Sequence, residues 1–201
     1  LITLDNHDGE LVPSLVVRNQ IIREIRKWNA DIVLSPRPND YHPDHRYTGV
    51  LVQDASYLVI VPNIASDINP LTKNPLFLYL NDNFKRPNPF QPDIVVAIDK
   101  SIDKKINALD AHVSQMYEWI PWTMGEENTV PKGKTNRKKW LKDRWRGNSK
   151  ISNEEGESLE KWYGGQSRKD VKYIEVFEVC EYGNRPTDKQ ILRLFPMLNK
   201  I

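Results

Sequence analysis

Cysteine is nearly absent from this chain: Cys180 is the only one among 201 residues. No internal disulfide can form, so packing must hold the fold. A lone thiol fits a reducing compartment such as the cytoplasm without establishing one. Long apolar runs are missing too, and none approaches the ~18 residues that a membrane-spanning helix needs. Charge of one sign is not in excess, since the net charge is only +2, and bulk electrostatics select no acidic or basic partner. Histidine is scarce. There are four, and two of them stand three residues apart at His42 and His45.

What is present describes a globular protein with 39% hydrophobic and 28% charged residues, long enough to bury a core as one domain spanning 1–201. Ser14 is placed to cap a helix over 15–28 whose Val17, Ile21, Ile25 and Trp28 share one face. Asp31-Ile32-Val33-Leu34 reads as a buried strand, followed by a turn through Pro36 and Pro38. Pro43 then suits the first turn of a second helix reaching about Tyr57. Leu58-Val59-Ile60-Val61 fits either a helix end or a strand. Further strands are expected at 76–80 and 93–98, a helix from about Ile102 to Trp119, an alternating strand at 173–179 and a short helix from Thr187 carrying Ile191, Leu192 and Leu194. The β-branched strands and intervening helices predict an α/β, Rossmann-like, mainly parallel sheet flanked by helices.

The segment Asn39-Asp40-Tyr41-His42-Pro43-Asp44-His45-Arg46 follows the first strand, where ligands of open α/β sheets usually sit. On a first helical turn, His42 and His45 lie on the same side of the backbone. A zinc ion could take both, or one could hold metal while the other faces a substrate. Asp44 could be a further ligand or could orient an imidazole. The plain alternative is a solvated His/Asp turn that caps a helix.

This segment resembles the second signature of the zinc-dependent N-acetylglucosamine deacetylases, the PIG-L or LmbE-like family. Asp8-Gly9-Glu10-Leu11, the Arg-bearing helix and Ala30-Asp31-Ile32-Val33 are similar to the run that precedes that signature. Lys105, Ala108 and His112-Val113-Ser114-Gln115 resemble a later helix, and Glu175-Val176-Phe177 a late strand. The resemblance implies an LmbE-like fold and a zinc-dependent hydrolysis of the acetamide on an N-acetylated sugar or glycoconjugate. It implies that His45 is a zinc ligand. It also implies that His42 stabilises the oxyanion or protonates the departing amine, and that Asp44 hydrogen-bonds and tunes the histidine. Tyr41 and His112 are then expected beside the ligands or the substrate.

The family's first signature, His-Pro-Asp-Asp-Glu, which supplies two further zinc ligands and the general base, occurs nowhere in these 201 residues. Since the chain opens in a strand-like run, Leu1-Ile2-Thr3-Leu4, without an initiator methionine, the expectation is that an N-terminal segment of the same protein completes the site. The runner-up is a non-catalytic carbohydrate-binding relative that never had it. His7-Asp8 reads as a surface turn, His112, in a helix with Ile106 and Met116, as a residue that packs or backs the ligands rather than a ligand, and Cys180 as a small core residue.

Residues 123–170 read as an insert. Lys132, Lys134, Arg137, Lys138, Lys139, Lys142, Arg144 and Arg146 face a single acid, Asp143, with Trp140 and Trp145 interleaved. Such a pattern suits nucleic acid, but the acidic run 153–157 follows at once. No nucleic-acid partner is expected, and the insert reads as a solvated helical lid or as a contact between copies of the chain. Trp119, Trp122 and Trp140 could stack on a sugar ring or pack in the core.

Overall fold

Helix α1 (Leu15–Trp28) begins where the Ser14 hydroxyl accepts the Val17 N–H. It stops where Asn29 turns left-handed, at φ 47°, and returns its N–H to the Ile25 and Arg26 carbonyls. The computed structural model describes residues 1–147, 151–165 and 167–198, and it falls into two compact units, Leu1–Val95 with Val176–Lys200, and Val96–Glu175. The buried face of α1 is Ile22, Ile25 and Arg26. Trp28, assigned to the apolar face on spacing, is 73% exposed because the helix ends beneath it.

The sheet has four strands in the order β1-β2-β4-β3, with β1 at Ile32–Ser35, β2 at Leu76–Leu80, β3 at Ile94–Ala97 and β4 at Ile174–Val179. Strands β1 and β2 run parallel, Ile32 opposite Leu76 and Ser35 opposite Tyr79. Strand β4 lies antiparallel to β2, Leu78 opposite Val179. The sheet is therefore mixed rather than mainly parallel, since β4 comes back to β2 from the far end of the chain instead of through a βαβ crossover.

Helix α2 (Pro43–Leu58) takes Pro43 at its first position and ends with the Val59 N–H bonded to the Ala55 carbonyl, so Leu58–Val61 is a helix end. The core of the first unit joins α1, α2 and the sheet through Ile22, Ile25, Val52, Ala55, Val59, Phe77 and Tyr79. Arg26 is only 4% exposed and donates to six carbonyls, those of Leu58, Val59, Val61, Ile64, Ala65 and Ile68. Those carbonyls end α2 and line the irregular segment after it, where no regular ladder takes up their second lone pairs. Burial pulls the Arg26 pKa down from its usual value. Cys180 is buried in this core, its Sγ 3.2 Å from the Tyr79 hydroxyl.

In the second unit, helix α3 spans Ile102–Asp110 and not the whole stretch to Trp119. Ile102 and Ile106 pack with Tyr173, but Ala111, His112, Val113 and Ser114 are exposed and have no core to bury against. The chain resumes as a π-helical turn at Gln115–Trp119, followed by α4 (Ile120–Thr123). Helices α5 (Lys134–Gly147), α6 (Asn153–Tyr163) and α7 (Ser167–Asp170) form the insert. Ser152 and Glu155 close a reciprocal cap on α6. Several cations of α5 are spent locally: Lys142 pairs with Asp103, Lys138 with Asn107 and Arg144 with Glu126. The side chains of Trp145 and Arg146 lie outside the described residues. Lys105 and Glu175 meet as an ion pair. The chain closes in the first unit with α8 (Asp188–Leu194), capped reciprocally by Thr187 and Gln190. Among the described residues, no helix is long and apolar enough to cross a membrane.

Candidate active site

The turn between β1 and α2 is built almost entirely by short-range chemistry. Asp40 Oδ1 accepts the His42 N–H at 3.0 Å, an Asx-turn. His42 is the N-cap of α2, its ring Nδ1 accepting the Asp44 N–H at 3.2 Å. Arg46, one turn into the helix, reaches back to the Asp40 and Tyr41 carbonyls at 3.0 and 2.8 Å. Gly49 lets α2 cross the turn closely, because a Cβ there would meet the Arg37 carbonyl carbon at 2.8 Å and the Pro36 oxygen at 2.9 Å.

Arg37, 4% exposed, ties this turn to residues 82–90. Its guanidinium donates Nε to Asp82 Oδ2 at 2.7 Å and Nη2 to Asp82 Oδ1 at 2.6 Å, the forked geometry that only Arg supplies. It also bonds the Phe84 and Asn88 carbonyls at 2.8 and 3.0 Å and lies 3.6 Å from Glu178. The Asp82 carboxylate holds the Arg37 pKa above its usual value. Burial pushes the Glu178 carboxyl up, against the pull of the Gln91 N–H and Arg37. Asn39 donates to the Arg86 carbonyl, and the Tyr41 ring lies 6.3 Å from Phe84.

The two imidazoles, 4.8 Å apart between ring centroids, differ in which nitrogen is free. His45 Nδ1 lies 3.1 Å from Asp40 Oδ1. A carboxylate accepts only, so the proton sits on Nδ1 and Nε2 carries an unused lone pair. His42 is the reverse. Its Nδ1 accepts a backbone N–H, which places the proton on Nε2 and makes that nitrogen a donor. His45 thus presents a carboxylate-backed imidazole, and His42 presents a ring N–H.

The resemblance assigns the tuning of a histidine to Asp44, but the contact to His45 is made by Asp40. Asp44 instead accepts the Gly9 N–H at 2.6 Å and the Leu11 N–H at 3.2 Å, docking the N-terminal segment on the turn. That docking brings up Asp8, 98% exposed, with Oδ1 at 4.0 Å from His42 Nε2. Asp8, His42 and Asp44 each offer one potential ligand atom within 4.8 Å of the others, a donor set that can hold a cation. Asp8, part of an expected surface turn, is exposed but faces His42. Tyr41 is exposed beside both rings, at 5.9 and 5.8 Å. His112 is exposed in the turn after α3, outside any long helix.

Among the described residues, the group of Asp8, His42 and Asp44 contains His42 as its one imidazole, and His45 is not part of it. Asp40, to which the sequence alone assigns no role, is the carboxylate that meets His45. The signal available for it was its place two residues before His42, where an Asx side chain bonds the N–H two residues on.

No protein-family model matches the chain. It is 32% identical over 129 residues to the diacetylchitobiose deacetylase of Thermococcus kodakarensis, an alignment covering 59% of this chain and 45% of that protein. The chain thus spans about half the length of the curated relative it matches. In structure it resembles the N,N'-diacetylchitobiose deacetylase of Pyrococcus horikoshii, with a TM-score of 0.58 and 23% identity over 89% of this chain and 56% of that one. A conserved protein of Thermus thermophilus is similar with a TM-score of 0.51 and 22% identity over 90% of this chain and 65% of that one. At those identities the two structures speak for the fold. Sequence and fold therefore agree with the resemblance read at His42–His45: the chain is similar in sequence to a diacetylchitobiose deacetylase and shares the fold of the two structures.

Proposed function

We propose that this chain carries part of the active site of a zinc-dependent N-deacetylase acting on an N-acetylglucosamine-type sugar or glycoconjugate. The observation that carries the reading is the opposed bonding of the two rings: Nδ1 of His45 faces the Asp40 carboxylate, whereas Nδ1 of His42 accepts the Asp44 N–H. His45 would hold the zinc, with the remaining ligands and the general base supplied by an N-terminal segment of the same protein. When bound, zinc activates water at neutral pH and polarises the amide carbonyl.

The residues of this chain perform the rest. Asp40 keeps the His45 ring in the ligating tautomer. His42, fixed by its N-cap bond, offers Nε2–H to the oxygen that becomes negative as water adds to the acetamide carbon. It can pass that proton to nitrogen as the C–N bond breaks, leaving acetate and a free amino sugar. Tyr41, exposed beside both rings, is placed to touch the sugar.

The test is release of acetate from N-acetylglucosamine oligosaccharides by the complete protein, with and without added zinc. Zinc-dependent release is expected. A protein that binds these sugars yet releases no acetate when zinc is supplied would instead be the non-catalytic carbohydrate-binding relative. The absence of a His-Pro-Asp-Asp strand in the gene upstream of Leu1 would favour the same outcome.

A further inference from the structure

The π-helical turn Gln115–Trp119 and helix α4 carry an aromatic surface that the site above does not use. Trp119 and Trp122, one helical turn apart, stack with centroids 5.2 Å apart and planes 27° off parallel, yet they are 54% and 62% exposed. With Ser114, Tyr117, Glu118 and Glu127 they line an open depression of about 500 Å³, within the ~300–1,000 Å³ of small-molecule sites.

Its floor is rigid. Tyr117 is 5% exposed, donates its hydroxyl to Asp110 at 2.7 Å and lies under the Arg137 guanidinium at 4.6 Å. Burial and that bond push its phenol up to about 12. The rim is different. Glu126 is paired with Arg144, but neither Glu118 nor Glu127 has a hydrogen-bond or ion-pair partner among the described residues. Two uncompensated carboxylates beside bare indole faces, in a stretch otherwise rich in cations, complement a ligand that is both cationic and flat on one side. Indole faces attract cations as well as the C–H faces of sugar rings.

We propose that this depression binds a sugar bearing a free ammonium group, with the ring on the Trp119–Trp122 pair and the ammonium taken by Glu118 and Glu127. The choice of an amino sugar over other organic cations rests on the deacetylase reading, whose product it would be. The demand for a cation rests on the depression alone.

Tryptophan fluorescence and titration calorimetry on the full chain, at mildly acid pH, would use a fully deacetylated chito-oligosaccharide, its N-acetylated counterpart and a lysine-rich peptide as probes. The deacetylated oligosaccharide is expected to bind and the acetylated one to bind at least about ten-fold more weakly. Trp122→Ala and the double variant Glu118→Gln/Glu127→Gln should each lose roughly ten-fold in affinity, and in the double variant the salt dependence should vanish. Equal affinity for the acetylated sugar, or unchanged binding in both variants, would overturn the proposal. Equally tight binding of the peptide would overturn its sugar part. His45→Ala should bind the amino sugar normally. A complete, unmutated protein that releases no acetate when supplied with zinc, yet binds the amino sugar at this depression, would end the deacetylase reading and leave the cation site standing.

Discussion

The turn at His42–His45 and the turn at Trp119–Trp122 are both exposed and both carry aromatic rings, but they are finished in opposite ways. Around the histidines nearly every polar group has a partner: Asp40 is shared between a backbone N–H and His45, Asp44 is taken by two amides, and Arg46 and Arg37 close the remaining carbonyls. What is left over is one nitrogen on each ring, with opposite protonation. Around the tryptophans the floor is finished and the rim is not. A fully bonded turn that leaves two specific atoms free is equipped for chemistry on a positioned group. A buried, hydrogen-bonded floor under exposed stacked rings and unpaired carboxylates is equipped for binding.

The difference can be broken from the histidine side most severely by Arg37→Met. Asp82 would lose its forked partner, and the Phe84 and Asn88 carbonyls their donor, at a cost of roughly 3–5 kcal/mol. That is read as a fall in the urea midpoint, and any residual activity should fall with it. Gly49→Ala tests the same turn through sterics. Backbone carbonyls cannot yield as a side chain can, so about 1–3 kcal/mol should be lost. Asp40→Asn leaves the fold nearly unchanged and sharpens the comparison, because the amide can present a donor to Nδ1 and release the tautomer. Zinc affinity should fall roughly 10- to 100-fold by metal titration.

The smallest effect is one of pH. Burial raises the folded pKa of Glu178 above the ordinary 4.5, so its contribution to stability is fully present below that value and lost as pH rises through the raised one. Glu178→Gln should flatten melting temperature against pH over that window, and an unchanged slope would remove Glu178 as its source.

Much of this was legible in the sequence because it is local. Ser14, Pro43 and Thr187 mark helix starts by chemistry confined to one turn, and Leu76–Leu80 is apolar enough to read as a strand in isolation. The histidine signature was visible for the same reason. What escaped depends on distant partners. Spacing continued α3 to Trp119, but no core waits for residues 111–114. The antiparallel placing of β4 depends on a long return of the chain. Arg26 reads as one more surface cation until six carbonyls more than thirty residues away claim it. Asp8 faces His42 only because Gly9 and Leu11 dock on Asp44, a contact between segments over thirty residues apart.

The division of labour between the two rings is tested most directly by the zinc content of the complete protein and of its His42→Ala and His45→Ala variants, purified identically and measured by atomic emission. His42→Ala should keep its zinc while losing acetate release, and His45→Ala should lose the metal. Loss of zinc from His42→Ala with retention in His45→Ala would place the cation among Asp8, His42 and Asp44 and contradict the assignment.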